Sequence, residues 1–183
     1  YFEPILIGSG DLLEFGQATE NMITYLAVAG IWQIDKVLGS TATFLRAEVG
    51  GFEGRQLRKG DTIAVANSDP AVSASLPEHQ IRAFSPGRRV RLIKSAEAND
   101  EICTWLEKSD FKVSDVWDRM GVRLMGPPPD TPQRKILSSP VTIGTIQLPP
   151  DGRPIVIMAD GQTTGGYPRI ATVIKADLPY LAQ

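Results

Sequence analysis

Pro154-Ile-Val-Ile-Met-Ala159, then Asp160-Gly-Gln-Thr-Thr-Gly-Gly-Tyr-Pro-Arg169, then Ile170-Ala-Thr-Val-Ile174 carry the strongest structural signal in this chain. The first run is short, apolar and rich in β-branched residues, which reads as a buried strand. It ends at a carboxylate. The segment 160–169 then brings together adjacent hydroxyls, adjacent glycines, a tyrosine and an arginine before a second strand-like run resumes. An ordinary hairpin turn needs only a suitable Gly, Asn or Asp. Two readings of the loop stand. It holds a small polar or anionic group against its backbone, or it is a structural hairpin whose threonines cap their own turn.

On the first reading each residue has a chemical use. Gly165 and Gly166 permit a backbone whose N–H groups converge into an anion-accepting nest. Thr163 and Thr164 add hydroxyl donors. Gln162 both donates and accepts, so it matches the edge of a urea or amide. Asp160 accepts a proton or orients a ligand N–H. Tyr167 supplies an aromatic wall with a polar tip.

The same punctuation extends outward. Short apolar runs are bounded by abundant glycine and proline (17 and 14 residues), the pattern of a mainly β chain. The strand candidates are 5–7, 12–15, 23–29, 43–47, 62–66, 90–93, 122–125, 143–147, 154–159 and 170–174. The run 25–29 is continuous and apolar and reads as buried on both faces. A helix is expected over 99–108, where Trp105 and Leu106 follow Ile102 at helical spacing. A final helical turn is expected over 177–182. The segment 71–80, rich in Ser, Ala and Pro, reads as a linker between a first unit, 1–70, and a second, 81–183. The first unit is small for an independent β domain. The chain opens in mid-pattern, so N-terminal strands of a longer protein are expected to precede it.

Composition narrows the function classes. The net charge is −2, with acids and bases mixed, so nothing points to nucleic acid. Arg88-Arg89-Val-Arg91 alternates with apolar residues and reads as the solvated face of a strand. No run approaches the roughly 20 apolar residues of a membrane span. Residues 1–7 lack the pattern of a signal peptide. A single cysteine, Cys103, excludes an internal disulfide and fits a reducing compartment such as the cytoplasm. Its apolar setting reads as a passive buried thiol. The single histidine, His79, lies in the linker candidate and reads as inert. One His and one Cys do not make a zinc site, and no metal is expected. There is no phosphate loop and no glycine fingerprint opening a helix. Gly50-Gly51-Phe52-Glu53-Gly54-Arg55 reads as a tight turn requiring positive φ.

Two further positions invite chemistry. Asp118 and Arg119 precede the strand candidate 122–125; Arg119 offers a planar cationic fork for a carboxylate, or simply pairs with a neighbouring acid. Gln147 ends an apolar run, where a polar side chain faces a pocket or satisfies nearby backbone.

Several segments, taken in order, resemble one family. They are Tyr25-Leu-Ala-Val-Ala-Gly30 with Val37-Leu-Gly-Ser40, Gly50-Gly-Phe-Glu-Gly-Arg55, Ser114-Asp-Val-Trp-Asp-Arg-Met-Gly-Val-Arg-Leu124, and the long run from Ile143 through Ile174. The resemblance is to the biotin-dependent carboxyltransferase, or allophanate hydrolase subunit 2, family. That family includes the C subunit of bacterial 5-oxoprolinase, KipA, and the carboxyltransferase domain of urea carboxylase. The resemblance implies cyclophilin-like β-barrel units with one or two short helices. Carried over by motif, Asp160, Arg119 and Gln162 become catalytic candidates. Asp118, Gln147, Thr163, Thr164, Gly165, Gly166 and Tyr167 become substrate-binding candidates.

The chain departs from the family pattern twice. It has Gly30-Ile-Trp-Gln-Ile-Asp35 where members carry Gly-Gly-Ile-Asp. It has Lys94-Ser-Ala-Glu97 where they carry a Pro-Gly-Pro turn, a change expected to reshape one wall of a pocket.

The function implied first is that of a protein like the C subunit of 5-oxoprolinase, which opens a lactam with ATP handled by partner subunits. The alternatives are carboxyl transfer from carboxybiotin to urea or a related amide, and a non-catalytic KipA-like regulatory module. The partners implied are a B-type, KipI-like subunit, an A-type subunit and a small amide.

Overall fold

The computed structural model describes residues 4–17, 23–67, 89–130 and 136–182. The chain forms two compact units, Tyr1–Ser85 and Pro86–Gln183. The linker candidate 71–80, with His79, lies outside the described residues, as does Arg88. No helix among the described residues is long and apolar enough to cross a membrane.

Among its described residues the first unit contains only short pairings. β1 (Ile31–Trp32) pairs antiparallel with β4 (Val65–Ala66), and β2 (Thr43–Phe44) with β3 (Val49–Gly50). A 3-10 turn, Leu45–Ala47, joins β2 to β3. The strand expectations for 5–7, 12–15 and 23–29 do not hold, because these residues form no ladder. The segment expected to be buried on both faces is open, with Tyr25 88 % exposed. Burial on both faces requires paired neighbours and covering layers, and the described strands of this unit supply neither.

The glycine corner follows its expected conformation. Gly50, Gly51 and Gly54 have φ of 73°, 56° and 68°. A Cβ at 51 would collide with Thr43 Oγ1, and one at 54 with the carbonyl of Glu48. Arg55 braces the corner. It forks onto Asp61 (2.7 and 3.0 Å), bonds Glu53 at 2.9 Å, and lies 5.0 Å from the Phe52 ring centroid. The Arg55 bond holds the Asp61 pKa down at about 2, helped by the Arg58 backbone N–H.

The second unit holds the core. β5 (Leu92–Lys94), β6 (Lys112–Asp118), β7 (Gly121–Met125), β9 (Thr145–Gln147), β10 (Ile155–Ile157) and β12 (Arg169–Val173) form a six-stranded sheet in the order β5-β12-β9-β10-β7-β6. Every pairing in it is antiparallel. A separate ribbon pairs β8 (Ser139–Pro140) with β11 (Thr164–Gly165). The protein is mainly β, as its sequence suggests. Ile146, Leu148, Val156, Ile157, Ile170 and Val173 are buried together on the central strands, each stabilising by roughly 1.5–3 kcal/mol. The outer strand β6 is not among the strand candidates. Its sequence, KVSDVWD, is exposed along most of its length, so it lacks an apolar period.

The helix α1 (Asp100–Lys108) matches its expected span. Asn99 caps it by accepting from the Ile102 N–H at 2.9 Å. Ile102 is buried, and Trp105 stacks edge-on against Phe111 with centroids 5.4 Å apart. Cys103 is half-buried, which corrects the expectation of a buried thiol. A 3-10 segment, Lys175–Ala182, closes the unit. In it Asp177, 2 % exposed, accepts from the Arg91 backbone N–H (2.8 Å), Nε (2.9 Å) and terminal amine (2.7 Å). Arg91 thereby pins the chain entering β5 to the end of the unit.

One irregularity positions the site. In the β12–β9 ladder Arg169 pairs with Gln147 and Ala171 with Ile146. Ile170 is therefore an extra residue, a β-bulge. Bulges re-aim the chain next to them, and this one separates Arg169 from the regular core register.

Candidate functional site

The loop 160–169 is held at both ends. At its start it meets the β6–β7 hairpin. Asp118 Oδ1 accepts from the Met120 and Gly121 backbone N–H groups (2.9 and 3.1 Å), closing the tight turn that presents Arg119. The carbonyls of Arg119 and Met120 then accept from the backbone N–H groups of Asp160 (2.9 Å) and Met158 (3.0 Å). A Cβ at Gly161 would lie 2.8 Å from the Met120 carbonyl and would collide with the Ile157 side chain. Glycine at 161 is what lets the two segments cross. Over this crossing the Arg119 guanidinium forks onto Asp160, with Nε–Oδ2 2.9 Å and a terminal amine to Oδ1 at 3.1 Å. The sequence candidates Asp118, Arg119 and Asp160 thus form one construction.

The middle of the loop is built on a buried amide. Gln147 is 1 % exposed at the end of β9. Its Oε1 accepts from Gln162 Nε2, and its own Nε2 donates to the Tyr167 carbonyl, both at 3.4 Å. These bonds are long, hence weak. The backbone of Gly165 lies against the Gln147 amide, in volume that a Cβ would need. A buried side chain with both donor and acceptor, joined by one weak bond to a second amide at the surface and by another to a backbone carbonyl, is suited to reading an amide edge.

The glycine pair serves a purpose other than the expected nest. A nest needs backbone of alternating hand, and neither Gly165 nor Gly166 has positive φ. Gly165 instead joins the β8–β11 ribbon, and Gly166 accepts from the Ile136 N–H at 3.1 Å. Thr163 and Thr164 face solvent. Ser139, paired with Gly165 across the ribbon, has a buried hydroxyl with no hydrogen-bond partner among the described residues.

The end of the loop contributes two groups that are not among the site candidates. Arg169 donates its backbone N–H to Glu97 Oε2 (2.6 Å), its Nε to Glu97 Oε1 (3.0 Å), and a terminal amine to the Pro140 carbonyl (3.0 Å). Its other terminal nitrogen also contacts Glu97 Oε1. The Arg169 bond holds the Glu97 carboxyl below its ordinary range, against the opposing effect of burial. Beside this pair lies a cleft of about 340 Å³, lined also by Ser95, Thr142, Thr145 and Thr172. Glu97 belongs to the Lys94–Glu97 departure, so the expected change in a pocket wall takes the form of an internal carboxylate. The signal for this pair was the departure itself, but its partner lies 72 residues away.

Known proteins share this framework. Over 182 residues the chain is 36 % identical to the C subunit of 5-oxoprolinase from Haemophilus influenzae, an alignment covering 97 % of this chain and 57 % of that protein. It is 29 % identical to a putative urea carboxylase of Emericella nidulans, covering 98 % of this chain and 16 % of that protein. A crystal structure of TTHA0988 superposes with a TM-score of 0.69 at 32 % identity, covering 83 % of this chain and 29 % of that one. The chain therefore spans little more than half the length of the Haemophilus influenzae relative. The family model "Carboxyltransferase domain, subdomain A and B" matches residues 1–183, and the chain belongs to that family.

Proposed function

We propose that this chain is part of a protein like the C subunit of 5-oxoprolinase, one that binds a cyclic amide while partner subunits supply ATP hydrolysis. The observation carrying this reading is the Gln147–Gln162 pair. A buried amide donating to a backbone carbonyl and accepting from a second amide, through two 3.4 Å bonds, exchanges those bonds for a lactam at little cost. The lactam C=O takes a donor and its N–H takes an acceptor. In ring opening a water oxygen ends on the carbonyl carbon, the C–N bond breaks, and the nitrogen gains a proton. Asp160, held in orientation by Arg119, is the acceptor that aligns the substrate N–H. Tyr167, half-buried beside this pair, is the aromatic wall of the proposed site.

The partners proposed are a B-type, KipI-like subunit and an A-type subunit. The compartment proposed is the cytoplasm, in keeping with a single thiol.

A second reading, carboxyl transfer between carboxybiotin and urea or a related amide, is favoured by the family model and by the urea carboxylase relative. The same glutamine pair fits a ureido ring, whose bound form would supply the carboxyl group. Against it, the anion nest is not formed.

Reconstitution with the partner subunits tests the first reading. Gln147→Leu and Arg119→Ala should each lower 5-oxoproline turnover by about 10²-fold or more. Unchanged turnover in both variants would sink the catalytic assignment. Biotin-dependent carboxylation of urea in place of lactam opening would select the second reading.

A further inference from the structure

We propose that Arg169 and the cleft beside it form a subsite for the carboxylate of a small ligand, and that Glu97 occupies this subsite until the ligand displaces it. The inference rests on the cyclic-amide reading only for the identity of the natural ligand.

The arrangement has the parts of a carboxylate site. Arg169 presents a planar fork, the geometry that recognises a carboxylate through parallel N–H bonds. The Pro140 carbonyl fixes one arm of that fork, and the bulge at Ile170 sets its register. What fills the fork is already a carboxylate, that of Glu97. Around it Ser95, Thr142, Thr145 and Thr172 line a cleft of about 340 Å³, within the usual range for small-molecule sites, and the Thr142 and Thr145 hydroxyls lie 3.3 Å apart. Hydroxyls both donate and accept, so they suit the polar rim of a compact ring.

Glu97 is a tenant that can be displaced. It sits on a turn, closed by the Ala98 N–H to the Ser95 carbonyl at 3.1 Å. Its side chain is 25 % exposed and that of Arg169 is 32 % exposed. Both side chains still reach water, which offsets part of the free energy that holds the pair. An incoming carboxylate reproduces the bonds that Glu97 gives up, and water solvates the released acid. Glu97 thus lowers the apparent affinity by the fraction of time it fills the fork.

The test is an NMR titration of isotope-labelled protein, read at the amides of Thr142, Thr145 and Thr172. Three probes separate the chemistry: 5-oxoproline has lactam and carboxylate, proline has the carboxylate with a ring ammonium in place of the lactam, and 2-pyrrolidinone has only the lactam. The carboxylate probes should shift these amides and 2-pyrrolidinone should not. Glu97→Gln keeps an oxygen to accept the Arg169 backbone N–H but removes the competing charge, and should tighten carboxylate binding roughly tenfold. Arg169→Lys keeps the charge but loses the fork, and should weaken binding at least as much. The inference is overturned if neither carboxylate shifts these amides. It is equally overturned if Glu97→Gln leaves affinity unchanged or weaker, or if Arg169→Lys binds as the parent does. Carboxylate binding with no lactam turnover in the reconstituted complex would end the cyclic-amide reading and leave this subsite standing. Turnover without these shifts would do the reverse.

Discussion

The side-chain nitrogen of Gln147 rests on the bare backbone of Gly165, in the space where any other residue would place its Cβ. The buried amide is held from one side by β9 and from the other by the candidate site loop. Gly165→Ala should displace the Gln147 side chain and destabilise the protein by about 1–3 kcal/mol. Turnover in the reconstituted complex should fall further than stability explains, because the amide pair loses alignment. Urea denaturation paired with activity at a temperature where both proteins are folded measures the two losses separately. A variant with parental stability and turnover would show that this contact does not matter.

Asp177 and Arg91 yield an asymmetric prediction. Asp177 is buried and accepts three bonds from Arg91, one of them from the backbone N–H. Asp177→Ala strands that N–H and should cost roughly 1–3 kcal/mol. Arg91→Lys keeps the charge and the backbone bond, and should cost less. Chemical denaturation of both variants gives the order; equal losses would mean that the fork, not the buried acceptor, carries the effect.

Asp61 makes a prediction about pH. Its folded pKa is lowered to about 2, chiefly by the bond from Arg55. A depressed carboxylate contributes stability that is fully present above its unfolded pKa, about 3.9. That stability is lost as pH falls from there through about 2. Backbone amide shifts of residues 50–61, followed from pH 6 to pH 2, should stay constant above about pH 4 and then report loosening of the glycine corner. Asp61→Asn should abolish the transition in that window. A corner that opens near neutral pH would contradict the assignment. Glu97 is shifted in the same direction by Arg169, so the cleft should also keep its ion pair throughout the neutral range.

The Asn99 cap can be tested by itself. Asn99→Ala removes the acceptor for the Ile102 N–H and should cost about 1 kcal/mol. Asn99→Asp should cost little, since it keeps the acceptor and adds a negative charge at the helix start. Thermal unfolding of the pair distinguishes a working cap from an incidental contact.

These elements differ in how clearly the sequence announced them. The helix was legible to within a residue because its apolar stripe, Ile102 with Trp105 and Leu106, is a local pattern. β10 and β12 were legible because strands in the middle of a sheet must be apolar almost throughout. β6 was not, since an outer strand with a polar sequence has no pattern to show. The apolar runs of 5–7, 12–15 and 23–29 misled for the converse reason: hydrophobicity records a need for burial and does not supply the neighbours that provide it.

The site divides along the same line. Gln147 stood out as a polar residue ending an apolar run, and the loop by its density of functional groups. The use of Gly165 and Gly166 for close packing, not for a nest, depends on what lies across from them. The pairing of Glu97 with Arg169 spans 72 residues and is a product of the fold alone.

The extra residue at Ile170 separates two sets of requirements that would otherwise conflict. Side chains along a strand alternate between faces, so a loop attached directly to β12 would have its last residue dictated by the packing of 171–173. The bulge resets that alternation between Arg169 and Ala171. Arg169 can answer to the loop while Ala171 and Val173 answer to the core. The register of the sheet is thereby uncoupled from the candidate loop. That loop can change its chemistry up to residue 169 without re-registering the sheet beneath it, provided the spare residue at 170 is retained.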